Sequence, residues 1–284
     1  MAYIIAIVLG IVQGLTEFIP ISSSAHLIIV PWLFRWDDPG LAFDIALHLG
    51  TLTAIIWFFW SDWVRVIRAG VASIVERKIG QDTDRRLAWF LVIGTIPGGI
   101  TGLLAQGKIE ELFHQPGASH TAGAMIVMAV IIALLGVGLF IAERTARHIR
   151  GLHQVSLKDS IIIGLSQALA IFPGVSRSGS TIMAGLALGL QRETAARYSF
   201  LLSAPIMLAA GLKSLVDVLS GLSSGTVVQS DLLVMAVGFI TAALSGYFCI
   251  KLLLRYLQKN STDIFVYYRW ALAILIIVVV MVRI

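Results

Sequence analysis

Residues 173–181 read Pro-Gly-Val-Ser-Arg-Ser-Gly-Ser-Thr and place an arginine and four hydroxyl groups inside an otherwise apolar region. The flanking residues, 161–172 and 182–190, have the composition of a membrane interior. An ionisable side chain costs about 2.5–3.5 kcal/mol in that environment by insertion scales. Arg177 therefore needs a structural or functional reason for its position.

The composition of the whole chain is that of a membrane protein. Hydrophobic residues make up 58% of the 284 residues and charged residues only 13%, and the mean hydropathy is +0.90. These values are typical of polytopic membrane proteins and exclude the soluble classes. The net charge of +5 does not indicate nucleic-acid binding, because the Lys and Arg residues lie in short connections between apolar runs.

Six apolar runs are long enough to cross a bilayer, which takes about 20 residues. They lie at about 43–60, 88–105, 123–141, 198–216, 231–250 and 267–283. Two further apolar regions, 3–34 and 159–190, are each interrupted in the middle by Pro, Gly and Ser residues. Because each arm of these two regions is short, they are either broken spans or hairpins.

The distribution of positive charge decides how the two interrupted regions run. Most Lys and Arg residues lie in four connections, which the positive-inside rule predicts to be cytoplasmic: 61–87, 142–158, 191–197 and 251–269. Only Arg35 and Lys108 lie in the other three connections, which are predicted to face outward: 35–42, 106–122 and 217–230. Region 159–190 then begins and ends in the cytoplasm, so it is a re-entrant hairpin. By the same argument region 3–34 enters from outside, and both termini lie outside.

The predicted fold is all-α and polytopic, with six transmembrane helices and two oppositely oriented re-entrant helical hairpins. It forms a single transmembrane domain over 1–284, built from two inverted-topology repeats at about 1–141 and 159–284. The Gly-Ile-Val-Gln at 10–13 and the three serines after Pro20 echo the Gly-Leu-Ser-Gln at 164–167 and the Ser-Arg-Ser after Pro173. Inverted repeats place such tips near the bilayer midplane, where helix N-termini point at anionic groups.

The two tips carry groups that together suit a phosphate. The first tip has Gln13 and Glu17 on one helix face, because they are four residues apart, and then Ser22, Ser23, Ser24 and His26. The second tip supplies Ser176, Arg177, Ser178, Ser180 and Thr181. A guanidinium can bind two phosphate oxygens at once, and two helix starts offer hydroxyls and free backbone N–H groups. With a carboxylate and an imidazole beside them, this set predicts a phosphate site.

Two stretches also carry a family resemblance. Gly-Ile-Val-Gln-Gly-Leu-Thr-Glu-Phe-Ile-Pro-Ile-Ser-Ser-Ser-Ala-His-Leu at 10–27 and the stretch at 173–181 resemble the two signature motifs of the bacterial undecaprenyl-diphosphatases, the bacitracin-resistance phosphatases. The resemblance runs over essentially the whole chain, including Arg-Tyr-Ser-Phe-Leu-Leu-Ser-Ala-Pro at 197–205. It implies an integral enzyme of the bacterial cell membrane that hydrolyses undecaprenyl diphosphate to undecaprenyl phosphate and inorganic phosphate. Such an enzyme recycles the lipid carrier of cell-wall synthesis, with its site open toward the outer face.

The resemblance assigns roles to individual residues. The acidic motif falls on Gln13 and Glu17, and the family's hydroxyl and histidine fall on Ser23 and His26. The phosphate-binding motif falls on Ser176, Arg177, Ser178 and Thr181. Gln13 stands where the family has either glutamate or glutamine, so a metal site with two carboxylates is not implied. Ala25 replaces the usual glycine before the histidine, which restricts the backbone there.

The expected mechanism rests on charge stabilisation and positioning. Arg177 and the amides of its helix would bind the diphosphate, while His26 acts as a base toward Ser23 or a water. Glu17 with Gln13 would hold Mg²⁺ or orient His26, since magnesium prefers oxygen ligands. Ser23 is a candidate nucleophile because a helical offset of three residues would place His26 near it. Attack by Ser23 and direct attack by water both stay open.

Other interpretations compete with this one. A polyprenyl-lipid flippase or an anion transporter would share the architecture, although it has no use for the combination of Glu17, Ser23 and His26. Arg177 could be only the ion-pair partner of Glu17. His48 lies outside both motifs and is interpreted as a polar helix contact. The expected partners are a polyprenyl diphosphate lipid and the bilayer, with no nucleic acid and with a homodimer left open.

Overall fold

A computed structural model of the chain describes residues 1–37, 39–113, 121–223 and 229–283. Within these ranges the α-helices are α1 (Ala2–Thr16), α2 (Ser23–Phe34), α3 (Leu41–Phe58), α4 (Trp60–Val75), α5 (Thr83–Phe113), α6 (Ala122–Thr145), α7 (Leu157–Ala168), α8 (Arg177–Ala187), α9 (Arg192–Ser223), α10 (Gln229–Leu257) and α11 (Asp263–Arg283). Short 3₁₀ turns at Leu152–Gln154 and Leu169–Ile171 flank α7. The outer connections predicted at 106–122 and 217–230 lie partly outside the described residues.

Five helices of the described ranges are long and apolar enough to cross a membrane, namely α5, α6, α9, α10 and α11. A sixth apolar helix, α3, meets α4 at a bend of 79°. These six helices coincide with the six apolar runs of the sequence. The chain is therefore an all-α, multi-pass membrane protein.

The connection predicted at 61–87 contains a helix, α4, that the sequence analysis did not predict. Exposed Ile67, Val71 and Ile74 follow each other at spacings of four and three, while Asp62 and Val66 are buried on another face. This is the pattern of an amphipathic helix. The arginines of this region led to the prediction of a connection. An amphipathic helix, however, needs an apolar stripe on one face only, so charged residues on its other face do not prevent the helix from forming.

Both interrupted regions form pairs of short helices, as predicted. α1 and α2 are separated by residues 17–22, and α7 and α8 by the turn Leu169–Ile171 and residues 172–176. Pro20 and Pro173 lie in these two breaks. Proline lacks the backbone N–H of a helix and keeps the preceding residue out of the helical region, so neither region continues as one helix.

Small residues let the hairpin helices approach the spanning helices closely. α7 packs on α5 and α1 packs on α10. A Cβ atom added at Gly164 would lie 2.3 Å from the carbonyl oxygen of Gly94, and one at Gly14 would lie 2.0 Å from Oγ of Ser245. Close backbone approach of this kind is a main source of helix association in lipid, where the hydrophobic effect between helices is absent.

Buried carboxylates fasten the basic connections to the helices. Asp62 accepts hydrogen bonds from Arg65 at 2.7 Å and from Arg197 at 2.6 Å, which ties α4 to α9. Arg150 donates to Asp159 at 3.0 Å, and this hydrogen bond raises the pKa of Arg150 above its ordinary value. Arg65, Arg150 and Arg197 therefore have structural partners in addition to their predicted effect on topology.

The Gly164 contact predicts a selective loss of stability. We expect Gly164→Ala to lower the free energy of unfolding by about 1–3 kcal/mol, because its methyl group overlaps the α5 backbone. Gly99→Ala is the matched control, since no atom lies within 4 Å of its added Cβ and alanine favours helix by up to about 1 kcal/mol. Thermal unfolding in detergent measures both. Equal melting temperatures for the two variants would contradict the close contact of α5 with α7.

Candidate active site

In both hairpins a serine caps the N-terminus of the second helix, and it does so in the same way. Ser22 precedes α2 with φ 78°, and Ser176 precedes α8 with φ 61°. The Ser22 hydroxyl accepts the amide of Ala25 at 3.4 Å, and the Ser176 hydroxyl accepts that of Gly179 at 3.0 Å. A positive φ at a residue other than glycine is strained, and it persists only where the surrounding structure enforces it. Both hairpin tips are thus held in the same uncommon conformation.

The two tips touch each other. The Ser178 hydroxyl, in the first turn of α8, donates to the carbonyl of Ile19 at 3.3 Å. Ser178 also lies 3.3 Å from the cap hydroxyl of Ser176, just as Ser24 lies 3.3 Å from that of Ser22. The N-terminus of α8 therefore lies against the break between α1 and α2. Helix starts leave backbone N–H groups without intrahelical acceptors, so this junction is rich in donors.

A buried ion pair joins the hairpins at this junction. Nη2 of Arg177 donates to Oε1 of Glu17. The Glu17 side chain is 4% exposed and that of Arg177 is 19% exposed, so the cation is the more accessible partner. Nη1 of Arg177 also lies 3.5 Å from the carbonyl of Ser203, and Nη2 lies 3.0 Å from the sulfur of Met207, both on α9. The structure thus brings together the two charges that the sequence placed on separate tips.

The second carboxylate oxygen of Glu17 has donors of its own. Oε2 accepts the Ser23 hydroxyl at 2.5 Å and Nε2 of Gln13 at 2.9 Å. Gln13 and Glu17 lie on one face of α1, extended by one turn, as their spacing predicted. Ser23, the first residue of α2, therefore donates a hydrogen bond from its hydroxyl to the Glu17 carboxylate.

His48 also lies beside this carboxylate, which the sequence analysis did not predict. Its Nε2 lies 3.8 Å from Oε2 of Glu17, and its Nδ1 lies 2.7 Å from the carbonyl of Asp44. A carbonyl only accepts, so Nδ1 carries a proton, and the other ring nitrogen, Nε2, faces the carboxylate. The histidine is 41% exposed. Its position on α3 gave no signal, because no sequence motif includes it and the approach of α3 to α1 is a tertiary contact.

His26 occupies a different place from the one expected. Its Nδ1 lies 2.6 Å from the carbonyl of Ser22, so this nitrogen donates, and its Nε2 accepts the hydroxyl of Tyr268 at 2.7 Å. The rings of His26 and Tyr268 also stack. The three-residue offset from Ser23 does not produce a Ser23–His26 hydrogen bond, because the Ser23 hydroxyl points to Glu17 instead. The imidazole links α2 to α11.

The remaining predicted residues lie in or beside the first turn of α8. Thr181 donates its hydroxyl to the carbonyl of Arg177 at 2.7 Å and lies 2.6 Å from the hydroxyl of Ser199 on α9. Ser180 donates to the same Arg177 carbonyl at 3.0 Å. Ser176 and Ser178 make the cap and the contact between tips. Thr181 therefore orients the helix that carries Arg177 and does not face Glu17.

The donor set around Glu17 fits a magnesium ion in part. Among the described residues, no cluster of three or more His, Cys, Asp or Glu side chains is placed to hold a metal. Oε1 of Gln13, however, is a buried oxygen without a hydrogen-bond partner beside the Glu17 carboxylate. Magnesium is commonly held by one or two carboxylates together with substrate phosphates and waters. Glu17 offers one carboxylate, and the unpartnered amide oxygen of Gln13 can add a second protein ligand.

Comparison with known proteins covers almost the whole chain. The family model described as "Bacitracin resistance protein BacA" matches residues 6–275. A protein named "Undecaprenyl-diphosphatase" from Thermomicrobium roseum is 45% identical over 275 residues, which are 97% of each chain. One of the same name from Moorella thermoacetica is 46% identical over 278 residues, 98% of each chain. "Undecaprenyl-diphosphatase 2" from Stutzerimonas stutzeri is 44% identical over 278 residues, 96% of each chain.

The buried ion pair predicts a strong energetic coupling. We expect Glu17→Gln and Arg177→Met each to destabilise the protein by about 3–5 kcal/mol, because each leaves one buried charge uncompensated. The double variant removes both charges and should lose much less than the sum. Unfolding of the four proteins in detergent measures the cycle. Additive losses would show that the two charges do not compensate each other.

Proposed function

The chain belongs to the bacitracin resistance protein BacA family, and we propose that it is a membrane phosphatase that hydrolyses undecaprenyl diphosphate to undecaprenyl phosphate and inorganic phosphate. The observation that carries this function is the meeting of Arg177, Glu17 and Ser23 between two donor-rich helix starts. A cation, a carboxylate and a hydroxyl in contact are the groups that phosphoryl transfer to a hydroxyl needs.

We place the protein in the bacterial cell membrane with both termini outside and with the site open to the outer face. The proposed arrangement is a single domain of two inverted repeats, with six crossings and two hairpins that enter from opposite sides. The matching caps at Ser22 and Ser176 support the repeat. So does the matching role of α1 and α7, each of which packs through a glycine on a spanning helix of the other repeat.

Substrate binding begins at Arg177. Its guanidinium is partly exposed and can bind two oxygens of a phosphate. The first backbone N–H groups of α8 point out of the N-terminus of the helix, which is the positive end of its dipole. A diphosphate carries more negative charge than the Glu17 carboxylate, so it competes for Arg177. When Arg177 turns toward the diphosphate, Oε1 of Glu17 loses its cation and the carboxylate becomes a better proton acceptor.

The chemical step follows from the Ser23–Glu17 contact. Oε2 of Glu17 accepts the hydroxyl proton at 2.5 Å, and Oγ of Ser23 attacks the terminal phosphorus. The bond from that phosphorus to the bridging oxygen breaks, and undecaprenyl phosphate leaves with the electron pair. Water then attacks the phosphorus of the phosphoserine, the bond from phosphorus to Oγ breaks, and the proton held by Glu17 returns to Oγ of Ser23 as inorganic phosphate leaves. Arg177 and the α8 amides stabilise the charge on the equatorial oxygens in both steps.

The two histidines have separate roles in this proposal. His26 fixes the start of α2, and hence Ser23, through Ser22 and Tyr268. His48 lies next to Glu17, where an imidazole can orient the carboxylate. Glu17 therefore replaces His26 as the group that takes the Ser23 proton, because it is the group in contact with that hydroxyl.

Magnesium remains part of the proposal. The protein atoms that would hold it are the Glu17 carboxylate and Oε1 of Gln13, with phosphate oxygens and waters as the other ligands. When bound, the ion supplies charge neutralisation to the phosphates. The relatives reported above are named as diphosphatases, which favours hydrolysis over the flippase or transporter alternative.

Replacement of Arg177 tests the proposed function. We expect Arg177→Lys to keep the charge pair with Glu17 but to lower kcat/KM for undecaprenyl diphosphate by about 10²–10³-fold, because lysine cannot bind two oxygens in a fork. The assay is phosphate release by purified protein in detergent. Arg283→Lys is the control, since Arg283, at the end of α11, contacts the carbonyls of Trp32 and Leu33 at the end of α2 and the Trp32 ring, none of which belongs to the site. Equal loss in both variants, or no release by the wild type, would refute the proposal.

Replacement of Ser23 separates the two routes of attack. If Ser23 is the nucleophile, Ser23→Ala lowers kcat by about 10³-fold or more, and rapid acid quenching of the wild type yields phosphoserine at position 23. Ser24→Ala is the matched control, because among the described residues its hydroxyl contacts only that of Ser22. A Ser23→Ala protein that keeps most of its turnover would establish direct attack by water.

A further inference from the structure

Arg269 is a second arginine at the junction of the hairpins, outside both sequence motifs. It lies on α11 and is completely buried, with 0% of its surface exposed. Its Nε donates to the carbonyl of Pro20 at 2.5 Å, in the break between α1 and α2. Its Nη2 faces the first turn of α8, where a Cβ atom added at Gly179 would lie 2.4 Å from it. The guanidinium therefore lies between the two tips.

The charge of Arg269 has no counter-ion in the part of the chain that the structure describes. Nη1 and Nη2 have no hydrogen-bond partner there, whereas Arg177 is paired with Glu17. A buried charge is expensive unless it is paired and hydrogen-bonded. Ionisable residues inside a membrane are therefore functional by default. Arg269 needs an explanation that the contacts within the protein do not supply.

The position of Arg269 increases this cost. α8 begins at Arg177, and the first turn of a helix carries the positive end of its dipole. Nη2 of Arg269 lies against that turn at Gly179. The positive charge thus lies beside another positive potential, in a medium that screens poorly. Both features favour an anion at the same place.

We propose that Arg269 is a positioning residue that supplies uncompensated positive charge between the two hairpin tips, so that the diphosphate of the substrate acts as its counter-ion. The substrate oxygens contact Arg177 and the α8 amides, while Arg269 acts through the low-dielectric interior and through Gly179 and Pro20. The inference rests on the proposed function for the identity of the ligand. The chemistry on which it depends, a multiply charged phosphate anion at the start of α8, can be tested with inorganic pyrophosphate alone.

The test compares the stability of the protein with its affinity for the anion. Arg269→Met removes the charge and keeps much of the side-chain volume. Without an anion, we expect it to melt at or above the wild-type temperature, because a buried uncompensated charge is gone. We expect pyrophosphate to raise the melting temperature of the wild type but not of this variant. KM for undecaprenyl diphosphate should rise by about tenfold or more, the equivalent of about 1.4 kcal/mol of lost anion binding.

Two further variants serve as controls. Arg269→Lys keeps the charge and should retain the pyrophosphate effect within a few-fold in concentration. Trp270→Phe alters the next residue of α11, whose indole donates to the carbonyl of Ala133 on α6, and should change neither the rise in melting temperature that pyrophosphate causes nor KM.

A merely structural role for Arg269 gives the opposite pattern. In that case Arg269→Met would fail to fold, or would melt at a lower temperature while its stabilisation by pyrophosphate stayed equal to that of the wild type. Either result, or the absence of any pyrophosphate effect on the wild type, would overturn the inference. A wild type that binds pyrophosphate through Arg269 but releases no phosphate from the lipid would refute the proposed hydrolysis and leave the inference standing.

Discussion

The ion pair between Glu17 and Arg177 is the constraint on which the arrangement of the two hairpins depends. Each charge is costly alone among apolar helices, so their pairing favours contact between the tips of two chain segments that are separated by more than half the sequence. The breaks at Pro20 and Pro173 then become necessary, because continuous helices would carry these residues past each other. The glycine contacts of α1 with α10 and of α7 with α5 hold these two short helices in place. The polar groups of the site therefore also hold its two halves together.

Much of this architecture could be predicted from the sequence. Apolar runs identified the six long helices, and Pro, Gly and Ser identified both interruptions, because these signals are local. α4 was missed since its apolar stripe is diluted by arginines, of which Arg65 is paired with Asp62.

The site was predictable as a set of residues but not as a set of contacts. Glu17, Ser23 and Arg177 meet as their types suggested. The partner of His26 is Tyr268, which is 242 residues away in sequence, and no spacing rule reaches that far. For a related reason His48 was interpreted only as a polar helix contact, and Arg269 was wrongly counted in the cytoplasmic connection 251–269, although it is buried against Pro20. Both lie on helices with ordinary apolar sequences, and only the packing of α3 and α11 against the tips makes them neighbours of the site.

The bend after α3 has a consequence for the lipid. His48 lies beside Glu17 and ten residues before Phe58, the last residue of α3, which is about 15 Å along the helix axis. The hydrocarbon layer is about 30 Å thick. In the proposed topology, in which α3 crosses the bilayer, a lipid phosphate at this site leaves the headgroup level and descends toward the middle of the bilayer. Membrane thickness then becomes a variable of the reaction, because a thicker bilayer lengthens that descent and a thinner one shortens it.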